Sequence, residues 1–164
     1  MDYMPEWLPE TIPVDGEWHG TLSHLYRIFE CDFKETRRFF QALPVRWDTT
    51  ILPGECYEEG FWHLITGDNH QTGERLFEPR RAERLPWCGP TITNSQHEAV
   101  KVWDYQEGKK RVRTYIWLES WDYVIILERR QTRKGGIAFL LTAFHVDGPS
   151  RRRNLLRRYE NRLS

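Results

Sequence analysis

The chain has 164 residues, 39% hydrophobic and 14% aromatic, which is enough to bury a core and too apolar for a disordered polypeptide. No apolar run approaches the roughly 20 residues of a membrane span, so no membrane partner is expected. The formal net charge of zero hides two unequal halves: from Lys101 onward fifteen Lys/Arg face seven Asp/Glu, whereas residues 1–100 carry nine against seventeen. A basic half of this kind points to a polyanionic partner, most simply RNA, unless the two halves neutralise each other. On the same split, the acidic residues 1–57 are a candidate cover for the basic half.

Residues 1–20 contain Pro5, Pro9 and Pro13 and read as an extended lead-in. It either docks Trp7, Leu8 and Ile12 on the rest of the chain or trails as a loose tail. The first residues are acidic, with no basic or apolar leader segment, which argues against a secretory signal. Residues 21–164 are expected to form one α+β domain, with a basic sheet-plus-helix half over 100–164. Leu22 to Phe29 is apolar enough for a strand. Lys34 to Ala42 reads as a short amphipathic helix stopped by Pro44. Cys56 to Thr66 fits either a helix end or a strand. Glu78 to Leu85 suggests one or two helical turns, with proline in the first turn and Pro86 ending them.

The second half is more regular. Val100 to Tyr105 is strand-like, and Gln106 to Lys109 supplies a turn. Arg111 to Leu118 alternates with period two, putting Val112, Thr114, Ile116 and Leu118 on one face and Arg111, Arg113, Tyr115 and Trp117 on the other. Tyr123 to Leu127 predicts a buried strand. Thr132 to Gly136 turns, and Ile137 to Val146 predicts a central one. Short connections imply antiparallel neighbours, hence a four-stranded meander. Pro149 to Leu163 predicts a basic helix with Leu155, Leu156, Tyr159 and Leu163 on its apolar side.

Several residues could carry chemistry. A sheet face of arginine and aromatic rings is what RNA readers use, since bases stack on rings and guanidinium pairs with phosphate. The competing reading is that Tyr115 and Trp117 lie under the long first half. His63 sits in an apolar run, either as a proton-transfer group or as a satisfied core histidine. His145 closes the apolar strand at a loop, and Thr142 is a hydroxyl within it that needs a backbone or ligand partner. Arg80, Arg81, Glu83 and Arg84 fall within one or two helical turns, where they form an ordinary surface ion pair or grip a phosphate. Cys31, Cys56 and Cys88 are odd in number, far apart and without a CxxC. They read as reduced cysteines of a cytoplasmic protein, with no metal site or cofactor expected.

Three stretches carry a resemblance. FWHLITG, then RRAERLPWCGPTI with VKVW, then YIWLESWDYVIILERR followed by FLLTAFHVDGPSRRRNLLRRYE resemble a group of small phage- and plasmid-associated bacterial proteins. That group is placed in the phage-type branch of the barnase, EndoU, colicin and RelE-like ribonucleases. The resemblance covers about residues 58–163. It implies N-terminal helices, a four-stranded antiparallel sheet whose concave face holds the active site, and a basic C-terminal helix. It carries over His63, Arg81, Glu83, Arg84, Thr142 and Arg152 as functional positions. The sequence departs at Ala82, at Phe144-His145 and at Ser150-Arg151, where the group usually has Cys, tandem aromatics and a His-Arg pair.

The activity so implied is that of a metal-independent endoribonuclease, a toxin or phage-defence effector using 2′-OH attack. His63 would be base or acid, with His145 or Glu83 as its partner. Arg81, Arg84 and Arg152 would hold the phosphate, and Arg113, Tyr115 and Trp117 would bind the strand. A cognate neutralising protein would be a second partner. The alternative is a non-catalytic RNA- or protein-binding module of the same fold, which the Ser150-Arg151 departure favours.

Overall fold

The structure is a computed structural model that describes residues 3–164. Residues Pro5 to Val14 dock, starting with a turn in which Leu8 N donates to Pro5 O (3.0 Å) and continuing without regular secondary structure. Leu8 is buried, Ile12 N donates to Glu83 O (3.0 Å) and Trp87 Nε1 donates to Pro9 O (2.8 Å). The lead-in therefore lies against the helices of the first half and does not cover the basic face.

Helix α1 (Trp18–Phe29) follows, where the sequence reading expected a strand. Leu22, Leu25 and Phe29 recur at helical spacing, and Leu25 and Phe29 are fully buried. Glu17 caps the helix, its carboxylate accepting from His19 N and Gly20 N, a role usually taken by Ser, Thr, Asp or Asn. A π-helical turn (Glu30–Lys34) continues it, so the helix expected over Lys34 to Ala42 is displaced. Those residues instead end in strand β1 (Phe39–Phe40). A tight turn through Gln41 and Ala42, both at positive φ, leads into β2 (Leu43–Trp47).

Next come α2 (Glu59–Trp62), the hairpin β3 (Thr66–Asp68) with β4 (Arg75–Phe77), α3 (Pro79–Ala82) and α4 (Leu85–Thr93). Pro86 opens α4 and does not close the preceding turn. Its missing N–H costs nothing in a first turn. Strands β5 (Lys101–Glu107), β6 (Arg111–Leu118), β7 (Tyr123–Thr132) and β8 (Gly135–His145) precede α5 (Gly148–Glu160).

The main sheet has six strands in the order β1-β2-β8-β7-β6-β5, not the expected four. It is mixed, not antiparallel throughout: β5 to β8 pair antiparallel in sequence order, but β2 joins β8 in parallel, with Val45 opposite Ala138. Nothing local announces this pairing. Strand β2 is five residues long, contains Pro44, and meets a partner some ninety residues away.

The sheet buries both faces. Ile116, Leu118, Tyr123, Ile125, Leu127 and Leu140 pack with α1, α2 and α4 in the larger core. On the opposite face Trp103, Tyr115, Trp117, Val124 and Ile126 form a second cluster, closed by Val146 and Leu155. No helix among the described residues is long and apolar enough to cross a membrane.

Candidate functional site

Helix α5 creates the concavity. After β8 the chain turns at Gly148, whose φ of +82° suits glycine, and lays α5 back across the second face of the sheet. Only Leu155 of α5 is fully buried. Tyr159 adds an edge contact to Trp103, with ring centroids 5.1 Å apart. The N-terminal part of α5 is fixed by charge. Arg152 donates to the Asp122 carboxylate and to Glu119 O (3.1 Å), and lies over the Trp117 ring at 5.2 Å. Asp122 is itself in the left-handed conformation (φ 52°) at the β6–β7 connection.

This narrow cover leaves Phe144 and Leu141 of the second face only partly buried. On the other side of the gap stand α3 and the β3–β4 hairpin. Their anchor is Arg81. Its Nε pairs with Glu78 Oε2 (3.0 Å), and its Nη1 donates to Thr142 Oγ1 and to His63 O, both at 3.1 Å. Thr142 Oγ1 in turn donates to His63 O (2.9 Å). The Arg81 guanidinium also faces the Phe144 ring at 5.5 Å. Thr142 lies opposite Ile126 beside a register shift, where Leu141 is the extra residue of β8 before Leu140 resumes the pairing opposite Leu127.

Two adjoining cavities result. The larger, of about 480 Å³, has Tyr115, Ile126 and Phe144 among its floor residues, with His70, Arg81, Arg151 and Arg158 around it. The smaller, of about 250 Å³, is lined by Phe77, Glu78, Arg80, Arg81, His145, Asp147 and Arg151. Arg81 and Arg151 belong to both. Glu78 is taken up by Arg81, and Glu107 by the Tyr115 hydroxyl and Arg113. Arg80, Arg151 and Arg158 make no ion pair among the described residues. The groove thus presents unpaired guanidinium groups above an aromatic floor.

His145 is the titratable group best placed in it. Partial burial lowers its pKa below the ordinary 6.5, and the charges of Arg84 and Arg80 act in the same direction, against Asp147 and Asp122. The imidazole is therefore largely neutral at pH 7. Its Nδ1 is buried and has no hydrogen-bond partner among the described residues.

The other expected site residues fall elsewhere or serve structure. His63 contributes its carbonyl to the Arg81–Thr142 junction, but its imidazole faces Glu59 (Nε2 to Oε1 4.0 Å) and lines neither cavity. His63 and His145 therefore do not form an acid–base pair. Glu83 pairs with Arg84 (2.6 Å), and neither lines either of these two cavities. Arg84 also donates to Arg80 O (2.8 Å) and stacks on Trp87 at 5.3 Å, which commits it to holding α3 on α4. Arg152 is spent on Asp122 and Glu119 and is not free to grip a phosphate.

Tyr115 and Trp117 do share a face with Arg113, but α5 and Trp103 cover them, leaving 3% and 0% exposed. Base stacking on Trp117 is blocked, and the covering element is the C-terminal helix, not the first half. The Tyr115 hydroxyl, buried and bonded to Glu107, has its pKa pushed well above the tyrosine range. Arg113 stands farther along the sheet, near Glu107 (3.4 Å).

Arg151, Arg158 and His70 were not singled out from sequence. A signal for two of them was present. Arg151, Leu155 and Arg158 share one helical face, so cations flank the single side chain that sinks into the sheet. His70 carried none, because the β3–β4 turn reaches the groove only through tertiary packing. Comparison with family models, curated proteins and solved structures finds no match to this chain.

Proposed function

We propose that the chain binds single-stranded RNA in the groove between α3 and α5. One observation carries this reading: Arg80, Arg81, Arg151 and Arg158 converge on two adjoining cavities floored by Phe144, Ile126 and Tyr115. Phosphates fit the guanidinium groups, and an unpaired base fits against Phe144, the floor ring that stays partly exposed. A duplex would present its bases already stacked and would gain nothing from that floor. The odd, dispersed cysteines suit a cytoplasmic setting.

His145 favours a second reading, in which the bound strand is cleaved. A largely neutral imidazole beside three guanidinium groups has the elements for taking the proton of a ribose 2′ hydroxyl as it attacks phosphorus, stabilising the phosphorane, and returning that proton to the 5′ oxygen as the P–O5′ bond breaks. The resemblance to phage-type ribonucleases leads to the same chemistry, with His145 in the place first given to His63. Growth arrest by a toxin or defence effector would follow from it.

The test has two arms. Fluorescence anisotropy with labelled oligouridylate should show binding that Arg151→Ala weakens several-fold. Induced expression of wild type and His145→Ala, followed by growth and total RNA on a denaturing gel, reads cleavage. Binding without RNA fragments supports the binding module alone. Absence of binding at low salt removes both readings.

A further inference from the structure

Beyond the groove the same sheet face carries a second basic basin. It has a volume of about 480 Å³ and is lined by Lys110, Arg111, Arg113, Glu128, Arg130 and Leu141, among others. Glu128 is its only carboxylate among the described residues, and it pairs with Arg130 (2.7 Å). Lys110 and Arg111 are exposed and form no ion pair among the described residues.

The two hollows share one floor. On β6 Arg113 lines the basin and Tyr115 the groove; on β7 Glu128 and Ile126 divide in the same way, as do Leu141 and Phe144 on β8. Residues two apart on a strand lie about 7 Å apart on the same face, so β6 and β7 each hand over from one hollow to the other; on β8 Leu141 and Phe144 are three apart, and the register shift beside Leu141 lets both pack against the second-face cluster. From the level of Tyr123, opposite His145, to that of Arg130 the floor runs about 23 Å. Glu107 stands at the junction, its carboxylate accepting from the Tyr115 hydroxyl and lying 3.4 Å from Arg113 Nε as an ion pair. That contact removes the one acidic group that would repel a strand passing between them.

We infer that this basin is an extension subsite for the polynucleotide backbone, so that the protein holds a single strand several nucleotides long across both hollows. The inference rests on the groove reading above. Lys110 and Arg111 contact phosphates of the distal nucleotides, and the groove takes the proximal ones. A solvated hairpin end would scatter its charges. Here Arg111 shares the strand face of Arg113 and Tyr115, and Lys110 lines the same basin from the adjoining turn.

Anisotropy with labelled uridylate trimer and octamer tests the assignment, comparing wild type with Lys110→Ala/Arg111→Ala. Wild type should bind the octamer about tenfold more tightly than the trimer at low salt. The double variant should lose that gain, and the salt slope of octamer binding should fall by about 1.4 for two lost phosphate contacts. Trimer affinity should stay unchanged, which also reports an intact fold. Equal affinities of wild type for trimer and octamer, or equal weakening of both by the double variant, overturn the extension and leave the groove standing. Octamer binding that survives Arg151→Ala but not the double variant removes the groove reading and keeps the basin as a site. A peptide of eight glutamates binding as tightly as the octamer overturns the nucleic-acid assignment.

Discussion

Arg81 and Thr142, 61 residues apart in sequence, meet at 3.1 Å, with the Thr142 hydroxyl accepting from the guanidinium while donating to His63 O. This junction ties α3, the end of α2 and β8 together beneath the groove. Side-chain burial at Arg81 is deep, with 12% exposed, so its lost partner would not be replaced cheaply by water. Thr142→Val should destabilise the protein by about 1–3 kcal/mol, and Thr142→Ser should restore most of it. Urea denaturation with both variants checks this; equal stability of the Val variant would mean the hydroxyl does not hold the junction.

Arg151 and Arg158 differ from Arg153 in the same helix, because only the first two line the groove. Arg151→Ala and Arg158→Ala should each weaken RNA binding and lower the salt slope by about 0.7. Arg153→Ala should leave the slope unchanged. If all three behaved alike, binding would depend on total charge and not on the groove.

The lowered pKa of His145 has a thermodynamic consequence. The unfolded chain binds a proton to this residue more readily than the folded one. Its contribution to stability is fully present above about 6.5 and is lost as pH falls through the folded value. Chemical denaturation between pH 5 and pH 7.5 should therefore show less acid-side loss in His145→Gln than in wild type. Cleavage, measured as a pH–rate profile, should rise through a pKa below 6.5. It should vanish in His145→Ala and persist in His63→Ala.

Arg152 holds α5 over Trp117 through Asp122 and Glu119. The side chain is 42% exposed, so solvent screening limits the pair, and Arg152→Ala should cost only about 1 kcal/mol globally. Locally the effect should be larger, because burial of Leu155 is the main remaining attachment of the helix. Amide hydrogen exchange should accelerate across α5 and leave β7 unchanged. Uniform acceleration across the sheet would show that α5 does not open separately.

Local pattern placed β6, β8 and α5 to within a few residues, because each is long and follows its neighbour through a short turn, but it reached only the apolar half of β7, whose polar residues 128–132 carry no such run. The basic character of the second half and the alternating face of β6 were equally legible, as was the candidacy of Arg81, Thr142 and His145. Helix α1 was missed because the apolar run was read in an eight-residue window and its cap is a glutamate. The parallel pairing of β2 was beyond reach, since a five-residue strand with a proline carries no sign of a partner so distant in sequence.

Charge and periodicity are properties of neighbouring residues, and the sequence by itself determined them: a basic, aromatic sheet face with a basic helix after it. The use of each cation depends on which carboxylates and rings surround it in space. Tertiary structure alone decided that Arg152 and Arg84 are bound internally, that Trp117 lies under α5, and that His63 turns away from His145. Packing likewise brought Arg80, Arg151, Arg158 and His70, from three separate elements, to the edges of one groove.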